Sequence, residues 1–263
     1  MAEKTKYAVY PSLADRVIVV SGGAMGIGAA IVEQFARQGS QVIFLDIDAD
    51  AAGRLVEKVD SLRVAHRPIF HHCDLGDIDG AVKPVTTKIL ADFPRVHGLI
   101  NNAAATAKEA KTPTMDITPE IWGRSLDLNL RHQFFLTQAL MPGLLAAGES
   151  SVINMGSISW VIPATGTLSY TTSKAAVVGL TRTLAHEFGP KGVRVNSIMP
   201  GSIATEREKR EIHTPEYKAL VLDRQAVKRL LQPEDVARTA LWLVADDGAG
   251  ITNQSIVIDG GWT

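Results

Sequence analysis

Short apolar runs alternate with longer segments of helical periodicity along the whole chain. The run Arg16–Ser21 (RVIVVS) is rich in β-branched residues and leads into glycines, which predicts a strand. The segment Gly26–Gln38 spaces its apolar residues along one helical face, and Gly39 is a suitable C-terminal stop. The same criteria predict further strands at Gln41–Asp46, Ala65–Cys73, Val96–Asn101, Ser151–Gly156, Val193–Ile198 and Ser255–Ile258. They predict further helices at Asp48–Val59, Gly76–Ala91, Thr118–Ala147, Leu168–Phe188 and Pro233–Ala245.

The strands are apolar throughout rather than alternately apolar and polar, which is typical of parallel sheets covered on both faces. Strands that alternate with helices therefore predict an α/β protein, with a doubly wound, seven-stranded parallel sheet and helices on both faces. A chain of 263 residues could form one or two domains, but no linker or repeat divides it. We therefore predict one domain over residues 1–263. Pro142 is expected to bend or break the predicted helix Thr118–Ala147.

Composition narrows the possible partners. The 27 Lys and Arg residues nearly balance 28 Asp and Glu residues, so no basic field is available to hold nucleic acid or an acidic membrane. The apolar runs are far shorter than the ~20 residues of a membrane helix, and Met1–Pro11 has no apolar signal core. The only cysteine, Cys73, cannot form an internal disulfide, which is compatible with a reducing compartment. We expect a cytoplasmic protein.

The first predicted strand runs into Ser21-Gly22-Gly23-Ala24-Met25-Gly26-Ile27-Gly28 and then into a helix. Glycines at 22, 26 and 28 would let the backbone approach a ligand, and the helix N-terminus offers N–H groups to a pyrophosphate. The spacing differs from the usual G-x-G-x-x-G, and no Gly-Lys-Ser/Thr follows, so this is not a Walker-type loop. A turn without a ligand is the alternative.

Asp46 ends the second strand, eighteen residues after Gly28. A carboxylate there can accept hydrogen bonds from both ribose hydroxyls of an adenosine and would repel a 2′-phosphate. No Lys or Arg stands in the glycine turn or directly after Asp46, where Ile47 follows, so the charges favour NAD over NADP. An aspartate that caps the next helix is the alternative.

The segment His71-His72-Cys73-Asp74 contains side chains of the types that bind metals. Neighbouring strand residues point to opposite faces, so the spacing does not suit zinc and we predict no metal site.

Tyr170 and Lys174 are four residues apart on a predicted helix and share a face. An ammonium group beside a phenol lowers the pKa of the phenol, which would make Tyr170 usable as a base near neutral pH. Ser157 ends the fifth strand, where ligands of parallel sheets bind. An exposed helical pair without catalytic function is the alternative for Tyr170 and Lys174.

The order of glycine turn, Asn-Asn-Ala, Ser and Tyr-x-x-x-Lys resembles the short-chain dehydrogenase/reductase family, from about Leu13 to Thr263. The resemblance implies a Rossmann fold, NAD as the coenzyme and a catalytic set of Asn129, Ser157, Tyr170 and Lys174. Tyr170 would be the general base, Lys174 would lower its pKa, Ser157 would hold the reacting oxygen and Asn129 would support a proton relay. The coenzyme residues implied are Gly22, Met25, Gly26, Ile27, Gly28, Asp46, Asp74, Leu75, Asn102, Ala103, Ala104, Tyr170, Lys174, Pro200, Gly201, Ile203 and Thr205. Ser21 and Ala104 stand where the family usually has Thr and Gly.

Local strings such as Asn129-Leu130-Arg131-His132, Gly156-Ser157-Ile158-Ser159-Trp160 and Thr214-Pro215-Glu216 look like those of NAD-dependent, D-xylose-type aldose 1-dehydrogenases. That resemblance implies oxidation of the ring C1 hydroxyl of a sugar to a lactone, and a homotetramer. The segment Ala105–Glu109 departs from the pattern of these relatives, which leaves the substrate open. A sugar acid, a polyol or a 3-oxoacyl thioester is the alternative substrate, and a non-catalytic NAD-binding protein is a third hypothesis.

The charged segment 202–228 is the predicted substrate lid. Its candidate ligands for hydroxyl or carboxylate groups are Glu206, Arg207, Lys209, Arg210 and His213, each of which is equally well explained as a solvated loop residue. Ser157, Trp160 and Tyr170 are the predicted substrate-binding residues. Trp160 would stack on a sugar face, with core packing as the alternative.

Overall fold

The computed structural model describes residues 7–105, 111–211 and 214–263 of the chain. Within them one seven-stranded sheet is formed in the order β3-β2-β1-β4-β5-β6-β7, and every pairing between neighbouring strands is parallel. The strands are β1 Val17–Ser21, β2 Gln41–Asp46, β3 Ile69–His72, β4 Gly98–Asn101, β5 Ser150–Met155, β6 Val193–Pro200 and β7 Ser255–Ile258. This arrangement confirms the predicted fold class.

Helices cover both faces of this sheet. They are α1 Gly26–Arg37, α2 Ala49–Asp60, α3 Lys83–Asp92, α4 Pro119–Leu126, α5 His132–Ala146, α6 Leu168–Phe188, α7 Glu206–Glu211, α8 Pro215–Arg224 and α9 Pro233–Val244. In the part of the chain described here, no helix combines the length and the apolar character that crossing a membrane requires.

The central strand β1 shows why the strands carry no polar alternation. Ile18 and Val20 belong to one buried cluster, with side chains of α1, α2 and α9, whereas Val17 and Val19 belong to a second cluster with side chains of α3, α5 and α6. Successive strand residues point to opposite faces. A strand with a hydrophobic core on each side therefore needs an apolar residue at every position.

The predicted break at Pro142 is absent, because α5 runs through this residue to Ala146. Pro142 and Gln138 are both exposed, so water can hydrate the Gln138 carbonyl that would otherwise accept an N–H from residue 142. The interruption lies earlier, at Asp127–Arg131, where a π-helical turn joins α4 to α5.

The charged segment after β6 is also more regular than the sequence suggested, because it contains α7 and α8. Helix α8 begins with a recognisable signal, since the Thr214 hydroxyl accepts the N–H of Tyr217 and Pro215 occupies the first turn. Strand β3 is shorter than predicted, and β6 extends as far as Pro200.

Candidate active site

The glycine turn between β1 and α1 leaves backbone uncovered by side chains at the carboxyl end of β1. Gly22 has φ +63°, and a Cβ atom there would lie 2.7 Å from the Ala103 Cα atom. A Cβ atom on Gly28 would lie 1.9 Å from the carbonyl oxygen of Gly22. Helix α1 begins after Met25 without a side-chain cap on its first N–H groups. These donors can therefore bind an anionic ligand.

Ser21 and Asn102 hold this turn in place. The Ser21 Oγ atom accepts the backbone N–H groups of Asn102 and Ala103, at 2.9 and 3.1 Å. The side-chain amide of Asn102 donates to the carbonyl oxygens of Ser21 and Gly22, at 3.1 and 2.9 Å. Asn102 therefore braces the turn, a use of its amide that the sequence alone did not distinguish from a coenzyme contact.

Asp46 faces the same turn. Its carboxylate accepts the N–H of Ala24 at 2.9 Å and the N–H of Asp48 at 3.1 Å. The cap of α2 is instead Asp48, which accepts the N–H of Ala51 at 2.8 Å. The alternative that Asp46 merely caps α2 is therefore not supported, because its carboxylate reaches back to the glycine turn.

The residues after β3 lie beside Asp46, since the N–H of Cys73 donates to the Asp46 carbonyl oxygen at 3.0 Å. Leu75 is buried, and the exposed Asp74 accepts the N–H of Gly76 at 2.8 Å. This arrangement fits a dinucleotide. Its pyrophosphate would lie at the uncovered backbone and the uncapped N–H groups of α1, and its adenosine ribose would lie at the carboxylate of Asp46.

Ser157, Tyr170 and Lys174 converge at the carboxyl end of β5. The side chains of Ser157 and Tyr170 form a hydrogen bond. The Lys174 Nζ atom donates to the carbonyl oxygen of Met155 at 2.8 Å and lies 5.7 Å from the centroid of the Tyr170 ring. The N–H of Ser159 donates to Ser157 Oγ at 3.1 Å and so orients the hydroxyl. The structure therefore brings the three predicted catalytic side chains together.

The electrostatics of this group differ from the sequence-based expectation. Burial raises the pKa of Tyr170, and its hydrogen bond with Ser157 offsets this only in part. Burial also lowers the pKa of Lys174 to about 7, so the ammonium group carries only part of its charge at neutral pH. In the polypeptide alone burial outweighs the effects that lower the pKa of Tyr170, and the expectation that Lys174 lowers this pKa stays a prediction.

Asn129 lies in the π-helical turn and is fully buried. Its Oδ1 atom accepts the N–H of Ala105 at 3.1 Å, and its Nδ2 atom donates to the Ser125 carbonyl oxygen at 2.8 Å. The widened turn between α4 and α5 is thereby tied to the segment that follows β4.

Gln133 is a polar residue of this region that the sequence analysis missed. Its Nε2 atom donates to the carbonyl oxygens of Asn129 and Met155, at 2.8 and 3.4 Å. The Met155 carbonyl is the one that also accepts from Lys174, so Gln133 links the predicted relay residue Asn129 to Lys174. A glutamine one helical turn after Asn129 was the available signal, but its burial was not visible in the sequence.

The segment after β6 reaches the glycine turn. The Thr205 methyl group lies 3.2 Å from the position that a Cβ atom on Gly26 would take. Gly201 donates its N–H to the Ile258 carbonyl oxygen at 2.9 Å, and Ile203 is buried and paired with Leu231. The predicted coenzyme residues Pro200, Gly201, Ile203 and Thr205 therefore lie at the same sheet edge as the turn.

The predicted lid residues on α7 are exposed, but the charge of Arg207 reaches Tyr170, whose pKa it lowers. Glu206 and Lys209 are exposed and pair with each other at 2.6 Å, and Arg207 and Arg210 are also exposed. His213 lies outside the described residues, as do positions 106–109 of the departing segment. Glu208, which the sequence analysis did not single out, is the residue of α7 that turns inward.

Trp160 follows Ser157 in a short 3-10 turn and is 40% exposed, which excludes core packing. Ala104 is exposed, next to the Ala103 that contacts the glycine turn. Among the residues that the structure describes, no three His, Cys, Asp or Glu side chains are grouped to hold a metal ion.

The fold and this site together define a class of protein, a doubly wound oxidoreductase that binds a dinucleotide. A family model described as enoyl-(acyl carrier protein) reductase matches residues 22–263. The protein named "Probable galactose dehydrogenase GalD" of Rhizobium meliloti is 40% identical, over 96% of each chain. D-xylose 1-dehydrogenase of Caulobacter vibrioides is 39% identical, over 97% of this chain and 98% of the other.

A solved short-chain type dehydrogenase/reductase from Mycobacterium ulcerans has a TM-score of 0.89 and 26% identity, over 95% of this chain and 90% of that one. The chain belongs to the short-chain dehydrogenase/reductase family. It is an oxidoreductase with a nicotinamide coenzyme, similar to sugar dehydrogenases, which confirms the resemblance drawn from its motifs.

Proposed function

We propose that this protein is an NAD-dependent sugar dehydrogenase that oxidises the ring C1 hydroxyl of an aldose to a lactone. The observation that carries the proposal is the convergence of Ser157, Tyr170 and Lys174 at the carboxyl end of β5, on the sheet edge that also carries the glycine turn. Two relatives of about 40% identity over nearly the full length are named for galactose and D-xylose, which supports a sugar as the substrate.

The polypeptide supplies proton transfer and positioning. The hydroxyl of Ser157 donates a hydrogen bond to the reacting oxygen and steadies the charge that develops there. Tyr170, as phenolate, would take the proton of the substrate hydroxyl, and Lys174 would hold the nicotinamide ribose of a bound coenzyme and stabilise the phenolate. The chemistry that a bound nicotinamide coenzyme supplies is acceptance of a hydride from the substrate carbon. Asn129 and Gln133 donate hydrogen bonds to the backbone carbonyl groups of Ser125, Asn129 and Met155, and the Met155 carbonyl also accepts from Lys174.

The choice of NAD over NADP rests on Asp46. Its carboxylate is held at the glycine turn by the N–H groups of Ala24 and Asp48, at a place where a 2′-phosphate would meet negative charge. No Lys or Arg occurs in residues 21–28, and Ile47 follows Asp46. The site therefore offers no cation to a 2′-phosphate on this loop.

The test is a panel of pentoses, hexoses, sugar acids and polyols, each with NAD and with NADP, followed by the absorbance of the reduced coenzyme. We expect turnover of an aldose with NAD. The variant Tyr170→Phe should bind NADH as the wild type does, measured by fluorescence titration, while its turnover falls by at least ~100-fold. Near-full activity of Tyr170→Phe would contradict the assignment of the base. Exclusive turnover of a sugar acid, a polyol or a 3-oxoacyl thioester would replace the proposed substrate.

A homotetramer is part of the same proposal. Phe134 on α5 and Leu168 at the start of α6 are large apolar residues that are 36% and 45% exposed, which suits burial against a second copy. Light scattering should give a mass four times the 28.3 kDa of the chain, and a monomer would overturn the proposal. A cytoplasmic location stays a prediction that rests on the single cysteine.

A further inference from the structure

Glu208 is placed differently from its charged neighbours on α7. Its carboxylate accepts a hydrogen bond from the Ser202 hydroxyl at 3.4 Å and another from the backbone N–H of Ile203. Its own N–H donates to the Thr205 hydroxyl at 3.1 Å, which secures the first turn of the helix. Ser202 and Ile203 directly follow the carboxyl end of β6, so the carboxylate of Glu208 is directed toward the sheet edge that carries the site.

The surroundings of Glu208 include the catalytic tyrosine. The charge of Glu208 raises the pKa of both Tyr170 and Tyr217, which places its carboxylate near both phenols. The Ser202 hydroxyl, which donates to Glu208, also forms a hydrogen bond with Tyr217. Glu208, Ser202 and Tyr217 therefore form one polar group on the lid, close enough to Tyr170 for the charge of Glu208 to act on its phenol.

The partial burial of Glu208 disfavours its charged form. Burial raises its pKa to about 7, against the opposing effects of Arg207, the Ser202 hydroxyl, the Ile203 N–H and Lys111. A partly buried carboxylate at this place, beside the Ser202 hydroxyl, can accept hydrogen bonds from the hydroxyl groups of a ligand. Two vicinal hydroxyl groups can donate to the two oxygens of one carboxylate.

We propose that Glu208, with Ser202 and Tyr217, is the subsite that binds a further hydroxyl group of the substrate, beside the hydroxyl that reacts at Tyr170. The inference rests on the proposed function and deepens it, because the subsite selects a polyhydroxylated substrate over a simple secondary alcohol. Hydrogen bonds to charged groups strengthen binding by about ten- to a hundred-fold, which is the discrimination that this carboxylate should supply.

The test compares Glu208→Gln with Glu57→Gln, a change of the same type at an exposed position of α2. Each variant and the wild type are assayed with NAD on the best sugar of the panel and on cyclopentanol, which has a single hydroxyl group. We expect Glu208→Gln to lose about ten- to a hundred-fold in kcat/KM on the sugar, mainly through KM. Activity on cyclopentanol should change less than about threefold, and Glu57→Gln should behave as the wild type on both.

Equal losses on the two substrates would overturn the subsite, because they would show that Glu208 acts through Tyr170 or the fold. Unchanged sugar kinetics in Glu208→Gln would also overturn it while leaving the proposed function intact. Binding is measured separately by calorimetry of the sugar with NAD-loaded Tyr170→Phe, with and without Glu208→Gln. Weaker sugar binding in the double variant supports the subsite even if turnover is too slow to measure. A wild type that neither oxidises nor binds any sugar overturns both proposals.

Discussion

The carboxylate of Glu208 should make the folded protein less stable at alkaline pH. Its folded pKa is raised to about 7 from an ordinary value of 4.5, so the folded chain keeps this proton over a range in which the unfolded chain has lost it. The contribution to stability is therefore fully present below about pH 4.5 and is lost as the pH rises through about 7. At about 1.36 kcal/mol per pH unit, the loss from this one group reaches about 3 kcal/mol.

The variant Glu208→Gln removes the charge and keeps the size of the side chain and an oxygen for the Ser202 and Ile203 donors. We expect the variant to be more stable than the wild type by up to about 3 kcal/mol at pH 8, and to match it within about 0.5 kcal/mol at pH 4. The assay is urea unfolding followed by circular dichroism at both pH values. Protein concentration is held constant, because subunit association contributes to the apparent stability.

Glu206→Gln is the matched control, since Glu206 is exposed and its ion pair with Lys209 lies at the surface. It should change the stability by less than about 0.5 kcal/mol at either pH. A wild type and Glu208→Gln of equal stability at pH 8 would refute the reasoning, as would a difference that is the same at both pH values. Confirmation would mean that the chain keeps a destabilising carboxylate close to Tyr170, as expected of a binding residue rather than a structural one.

The other predictions concern the coenzyme and the region behind Lys174. Asp46→Ala should lower kcat/KM for NAD by about tenfold and reduce the preference for NAD over NADP, because a charged hydrogen-bond acceptor is lost. Asp50→Ala, which removes an exposed carboxylate on α2, is the control. An unchanged ratio of kcat/KM for NAD to kcat/KM for NADP in Asp46→Ala would contradict the role of Asp46 in coenzyme choice. Gln133→Leu should lower the free energy of unfolding by about 1–3 kcal/mol, since the Asn129 carbonyl loses its donor. The exposed Gln138→Leu on the same helix should change it by less than about 0.5 kcal/mol, and equal effects in urea unfolding would count against the contact.

Most of the sheet could be predicted closely because most strands are apolar runs that stop at a polar residue or a glycine; β3, with two histidines among its four residues, is the strand whose bounds were predicted least well. The bounds of β2, β7 and α6 agree with the prediction at both ends. The prediction of a break at Pro142 was wrong, because the free-energy cost of a proline inside a helix depends on whether the carbonyl that loses its N–H donor can reach water. Exposure at that position is set by how α5 packs on the sheet, which the local sequence does not contain.

The catalytic and glycine motifs could be found because their spacing is local or follows from strand order. Ser157 and Tyr170 meet since one ends β5 and the other lies on the helix that follows. Gln133 and Glu208 could not be found in this way. In the string Glu206–Glu211 every residue is charged, so helical periodicity cannot show which face is inward. The structure shows that Glu208 turns inward, because its carboxylate accepts a hydrogen bond from Ser202.

The raised pKa of Tyr170 could not be predicted from the local sequence either, because burial is its main cause. A lysine one helical turn away predicts a stabilised phenolate only if the lysine is charged and the phenol is hydrated. Here Lys174 is 1% exposed and donates to the Met155 carbonyl, so burial lowers its own pKa toward neutrality. The nearby carboxylate of Glu208 adds to the effect of burial on the pKa of Tyr170. Burial and Glu208 therefore raise the pKa of Tyr170 more than Ser157 and Arg207 lower it, and a cationic nicotinamide at this edge of the sheet would add further positive charge in favour of the phenolate.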